Sequence, residues 1–170
     1  MNQDFILDYG CGRTARNSEW LAGKGNKMFR YDPYWGKEGG DFGWLPNRIS
    51  NELPKFPHFD IVFSCFVLNV VTKKVQDNII DTIRSRPNEI YTTQIHIVRN
   101  DVVAAAKNAM GKKDPVTTEF HKNYFKKGSI ENFARFGFPT SRGFQRQIDE
   151  IKGFELIKET GSYKVFIKHA

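Results

Sequence analysis

Phe5-Ile6-Leu7-Asp8-Tyr9-Gly10-Cys11-Gly12 constrains this chain more than any other stretch. Its apolar residues predict a short buried strand, and a glycine-rich turn follows at once. Thr14 to Gly23 has the composition of a helix, so the predicted unit is strand, tight loop, helix. Glycines at 10 and 12 carry no Cβ and let the backbone approach a ligand closely.

Gly10-x-Gly12-x-x-Ala15 also fits the dinucleotide fingerprint, and a structural turn after an edge strand accounts for the same residues. Asp8 discriminates between ligands. A carboxylate two residues before the first glycine repels a pyrophosphate but welcomes a cation. S-adenosylmethionine carries an ammonium and a sulfonium and no phosphate. About twenty residues on, Lys27-Met28-Phe29-Arg30-Tyr31 reads as a strand ended by Asp32, the spacing at which an acid reaches ribose hydroxyls. The competing account of Asp32 is a solvated turn aspartate before Pro33.

ILDYGCG, YDPYW and FDIVFSCFVLNVV together resemble the first, second and fourth motifs of Class I S-adenosylmethionine-dependent methyltransferases. The wording is most similar to small methyltransferases associated with DNA phosphorothioation systems. The resemblance is specific over residues 5–86 and general beyond. It implies an α/β, Rossmann-like sheet, mostly parallel, closed by a C-terminal antiparallel hairpin, and the length of 170 residues predicts a single domain over residues 1–170. It also implies an S-adenosyl-L-methionine site drawn from Asp8, Tyr9, Gly10, Cys11, Gly12, Asp32, Pro33, Tyr34, Ser64, Cys65, Phe66 and Asn69. Asp41-Phe42 resembles the acidic and apolar pair that contacts adenine in that superfamily.

Residues 33–57 hold Gly36, Gly39, Gly40, Gly43 and four prolines, so they read as loop, with the superfamily's third strand short or missing. Phe59 to Cys65 is an almost continuous apolar run, as for a central parallel strand. Thr72 is an N-cap candidate for a helix with Val75, Ile79, Ile80 and Ile83 on one face. Glu89 to Ile97 reads as the next strand, and Asp101 as the cap of a helix running to Met110 and ended by Gly111. Phe154–Glu159 and Tyr163–Lys168, joined by Thr160-Gly161-Ser162, form a hairpin. Such an ending separates the methyltransferase sheet from a dinucleotide-binding one.

Methyl transfer from a sulfonium needs alignment more than a special nucleophile. Asn69, Tyr34 and His96 are the catalytic candidates, with His121 behind them. A histidine inside a buried strand is also an ordinary hydrogen-bonded core residue. Cys65 follows serine rather than the proline of cytosine-directed enzymes, and reads as a small buried hydrophobe.

The formal charge of +7 favours an anionic partner. Between Val102 and Arg146 there are nine Lys or Arg against three acids, interleaved with Phe and Tyr. That mixture suits DNA or RNA, with Lys112, Lys113, Tyr124, Lys126 and Lys127 as candidate contacts. It also suits, less well, a solvated face over a core holding Phe133 and Phe136. Two cysteines without disulfide or metal spacing suit a reducing cytoplasm, and no metal site is expected. No run approaches the roughly twenty apolar residues of a membrane helix. The readings left open are a methyltransferase acting on nucleic acid or another anion, one acting on a small molecule or protein, and a cofactor-binding protein without turnover. Monomer and dimer are both compatible with the sequence.

Overall fold

The computed structural model describes residues 4–37, 40–55, 58–86, 92–125 and 128–170. Eight strands and five α-helices occur among them: β1 (Phe5–Tyr9), α1 (Arg16–Ala22), β2 (Lys27–Tyr31), β3 (Ile61–Cys65), α2 (Lys73–Arg84), β4 (Thr93–Arg99), α3 (Val102–Asn108), α4 (Pro115–Tyr124), α5 (Ile130–Phe136), β5 (Phe138–Thr140), β6 (Gly143–Gln145), β7 (Glu155–Glu159) and β8 (Tyr163–Lys168). The main sheet has the order β2-β1-β3-β4-β8-β7, and β5 and β6 form a separate antiparallel pair. β1 pairs in parallel with both β2 and β3, so Leu7 lies between Phe29 and Val62. This is the Rossmann-like α/β sheet that the motif resemblance implies, closed by the expected hairpin over β7 and β8. Among the described residues no strand lies between β2 and β3. No described helix is long and apolar enough to cross a membrane.

The chain divides into two compact units. The first comprises Met1–Cys65, Ile79–His96 and Ile167–Ala170, and the second Phe66–Asn78 and Ile97–Phe166. In the first, the missing third strand is replaced by a strap. A 3-10 turn at Gly40–Trp44 leads to Ser50, which bridges Tyr31 in parallel. The Ser50 amide donates to Arg30 O at 2.9 Å, and the Asp32 amide to Ser50 O at 3.0 Å, so the edge of β2 does not face solvent as an open ladder. Buried Arg30 locks the arrangement by donating to Gly43 O at 3.1 Å and to Glu19. Trp44 packs edge-on to Phe29 and Phe5 and stacks on Phe59, an aromatic cluster that anchors the strap by burial rather than by pairing.

In the second unit, Val102, Ala106, Phe133, Ala134 and Phe138 form the core, with Phe120 and Phe125 packed against them. Asn69, fully buried, donates through Nδ2 to Arg146 O at 3.0 Å and to Arg99 O at 3.3 Å, and accepts from the Arg99 amide at 2.6 Å. Arg146 donates to Val71 O, Leu68 O and Gln76 Oε1, fixing the turn before α2.

Several local expectations change. The apolar face of α2 starts at Gln76, buried against Arg146, so Val75 is one residue off that face and exposed, while Ile79, Ile80 and Ile83 are buried. Thr72 does cap the helix through the Val75 amide. The strand expected from Glu89 is described only from Thr93, since residues 87–91 lie outside the described set. Asp101 spends its carboxylate on Arg99 and makes no side-chain cap, and Gly111 sits inside a π turn at Ala109–Lys113 instead of ending α3. Phe133 is core as expected, but Phe136, at the end of α5, is 68% exposed.

Candidate cofactor site

The first unit brings the glycine turn, the end of β2 and the end of β3 together around Asp8. Gly10 and Gly12 have φ of 77° and 76°, a region that penalises any Cβ. The turn folds inward. The amides of Gly10 and Cys11 both donate to Tyr31 O, at 2.8 and 3.0 Å, and the Gly12 amide donates to Asp32 Oδ2 at 3.0 Å. Three consecutive N–H groups are therefore consumed within the protein. A pyrophosphate, which needs such donors aimed at it, finds none of these three.

Asp8 is 1% exposed. Ser18, fully buried on α1, donates its hydroxyl to Asp8 Oδ2 at 2.6 Å. Burial is the dominant influence and pushes the Asp8 carboxyl up from 3.8 to about 6. The Ser18 hydrogen bond and Arg30 oppose that rise, and the Asp32 charge adds to it. The Cys11 thiol is pushed up to about 12 by burial together with the negative charges of Asp8 and Asp32, and burial and Asp8 raise Cys65 as well. The turn thus carries negative potential around a carboxylate that is costly to ionise alone. A cationic ligand group relieves that cost.

Asp32, 6% exposed, is more occupied than its spacing suggests. Besides the Gly12 amide it accepts from the Tyr34 and Trp35 amides through Oδ1, at 2.8 and 3.0 Å. It is a corner post joining two loops, with remaining lone-pair capacity for a hydroxyl donor. Tyr9 packs on Tyr31 with ring centroids 4.8 Å apart, and burial raises the Tyr9 phenol well above its usual range. Pro33 and the Tyr34 ring are exposed, the latter at 89%. Asp41 and Phe42 lie exposed on the 3-10 turn of the strap.

His96 and Ser64 are fully buried on neighbouring strands β4 and β3. His96 Nε2 faces Gln94 Oε1 at 3.2 Å and therefore carries the proton, which leaves Nδ1 to accept from Ser64 Oγ at 2.7 Å. Desolvation pushes the imidazole down from 6.5 to about 4, so it is neutral at physiological pH. This is a satisfied core pair rather than a proton relay open to a ligand.

Phe66 and Asn69 fall in the second unit. Phe66 holds φ of 61° with its ring 44% exposed, an uncommon conformation for a bulky residue, and its amide donates to Ile97 O at 2.9 Å. Asn69 has both amide donors engaged by backbone carbonyls. In the basic tract, Lys113 and Tyr124 are exposed, Tyr124 at 74%. Lys126, Lys127 and the Lys112 side chain lie outside the described residues. Arg135 pairs with Asp149, and Arg146 is buried in its turn network.

Sequence reasoning missed α4 and the structural duty of Asp114. Asp114-Pro115 was the available signal, an N-cap followed by proline at the first helical position. Asp114 accepts from the Val116 and Thr117 amides and from Ser141. Among the described residues no cluster of His, Cys, Asp and Glu could hold a metal ion.

No protein-family model and no curated protein matches the sequence. Among solved structures the chain is similar to magnesium protoporphyrin IX methyltransferase from Synechocystis PCC 6803, crystallised with bound SAH. The TM-score is 0.52 at 14% identity, over 97% of this chain and 73% of that one. At that identity the likeness speaks for the fold, and the fold is that of the Class I S-adenosylmethionine-dependent methyltransferases.

Proposed function

We propose that the chain is an S-adenosylmethionine-dependent methyltransferase that holds its cofactor at Asp8, the Gly10–Gly12 turn and Asp32, and that its acceptor is a small anionic molecule. The inward turn of the Gly10, Cys11 and Gly12 amides beside buried Asp8 carries the cofactor part of this reading, because it suits a cationic ligand and denies these donors to a pyrophosphate. When bound, the cofactor supplies a methyl group already activated on a sulfonium. Asp8 faces the ammonium, Asp32 the ribose, and Pro33 and Tyr34 border the adenosine. His96 and Asn69 are committed to internal hydrogen bonds. Transfer therefore rests on alignment and suits an acceptor that is nucleophilic without losing a proton, such as a carboxylate. The free thiols of Cys11 and Cys65 suit a reducing cytoplasm.

A second reading, transfer to nucleic acid, draws on exposed Tyr124 and Lys113 and on the resemblance of the motif wording to phosphorothioation-associated methyltransferases. Against it, Phe120, Phe125, Phe133 and Phe138 of the same tract are packed in or against the core. Incubation with methyl-labelled cofactor and parallel pools of metabolites, DNA, RNA and protein decides between them. Label should enter the metabolite pool. Label in DNA or RNA would establish the second reading, and cofactor binding with no labelled pool would mark a binding protein without turnover.

A further inference from the structure

A cleft of about 550 Å³ opens in the first unit beside the glycine turn, lined by Arg13, Trp35, Lys37, Asn47, Arg48 and Ile49. Its charge is opposite to that around Asp8. Three cationic residues and one indole line it, and no acid stands among these lining residues. The Arg13 guanidinium lies over the Trp35 ring, 5.8 Å from its centroid, and Trp35 remains 51% exposed.

The walls of the cleft are fixed. Asp32 holds the amide of Gly12, next to Arg13, with one carboxylate oxygen and the amide of Trp35 with the other. Gly36, between Trp35 and Lys37, lies against the backbone of Ser50 and Asn51 so closely that no Cβ fits there. The Asn47 amide donates to Glu19, which Arg30 holds in turn. The backbone at Gly12, Trp35 and Asn47 is therefore held before any ligand arrives, which favours a site over an incidental patch.

We infer that this cleft binds a planar anion, a flat ring bearing a phosphate or carboxylate, and that this ligand is distinct from the cofactor. The cations meet the anionic group and Trp35 offers its ring for stacking. S-adenosylmethionine, a net cation, is repelled by three like charges. The assignment goes beyond methyl transfer and does not depend on it.

The test is calorimetric titration of the full chain, with and without saturating S-adenosylhomocysteine, using four probes: guanosine 5′-monophosphate, naphthalene-2-carboxylate, inorganic phosphate and guanosine. The two planar anions should bind about tenfold more tightly than phosphate or guanosine. Lys37→Glu and Arg48→Glu should each weaken them about tenfold while S-adenosylhomocysteine affinity, measured separately, changes by less than about twofold. Trp35→Leu should remove the preference for a ring over inorganic phosphate. A guanosine octanucleotide separates two sources of the same chemistry: binding about tenfold tighter than the monophosphate, through the same residues, identifies a nucleic acid strand, and equal binding identifies a small molecule. The inference is overturned if planar anions show no preference over the controls, if the charge reversals leave them unaffected, or if S-adenosylhomocysteine displaces them, which would make the cleft part of the cofactor pocket.

Discussion

Asp8→Asn should stabilise the unliganded protein and weaken S-adenosylmethionine binding at the same time. The rise of the buried carboxyl from 3.8 to about 6 means that holding it ionised at neutral pH costs about 3 kcal/mol. Asparagine keeps the shape and still accepts from Ser18, but leaves an amide group short of partners, which returns about 1–2 kcal/mol of that gain. The net expectation is a melting temperature higher by about 5 °C at pH 7.5. Affinity for the cofactor should fall by about ten- to a hundredfold with loss of the charge that faces the ammonium.

The pH dependence gives that substitution a second signature. Asp8 is protonated more readily in the folded state, so its contribution is fully present below pH 3.8 and is lost as pH rises through about 6. His96 has the opposite sign: held down at about 4, it favours the fold above pH 6.5, and that support is lost as pH falls through about 4. Each amounts to about 3 kcal/mol, so in the parent the two slopes largely cancel between pH 4 and 6. In Asp8→Asn only the His96 slope remains, and thermal or urea unfolding should show stability climbing with pH across that window. A level profile in the variant would contradict the burial of His96, and a parent that climbs as steeply as the variant would contradict the burial of Asp8.

Gly36→Ala should be the most destabilising conservative change in the first unit. A Cβ there would lie 2.4 Å from both Asn51 N and Ser50 C and 2.6 Å from Asp32 O, all backbone atoms that no rotamer change can clear. Relief requires lifting the strap from β2, which breaks the bonds Gly36 N to Asp32 O, Asp32 N to Ser50 O and Ser50 N to Arg30 O. At about 1 kcal/mol each, the loss is about 3 kcal/mol, or a melting temperature lower by about 10 °C. Gly161→Ala, in the β7–β8 turn where an added Cβ meets nothing within 4 Å, serves as the control and should change stability by less than about 0.5 kcal/mol. Equal effects at the two positions would show that the strap does not clamp the edge of β2.

The elements built on local pattern were legible in the sequence. The β1–turn–α1 unit, the bounds of β2, the apolar run of β3 and the terminal hairpin all follow from periodicity and turn chemistry, and the gap left by the third strand followed from the glycines and prolines of residues 33–57. What escaped was contact between residues far apart in the chain. Asp32 reads as a ligand-facing acid, yet three backbone amides converge on it from two loops. Asn69 occupies a position that the family resemblance assigns to the pocket, and its amide instead ties together the backbone at Arg99 and Arg146. Gly36 looked like loop punctuation, while its role is to let two backbones touch. Val75 and Phe136 show the limit of periodicity at helix ends, where one residue of phase decides between core and solvent.

The account turns on whether the inward-turned glycine loop and buried Asp8 accept a cation-bearing nucleoside and refuse a dinucleotide. Calorimetric titration of the parent protein at pH 7.5 with S-adenosylmethionine, and separately with NAD, tests this most directly. The account predicts saturable binding of S-adenosylmethionine at one site per chain and no binding of NAD at the same concentrations. Binding of NAD with equal affinity, or no binding of S-adenosylmethionine, would contradict it.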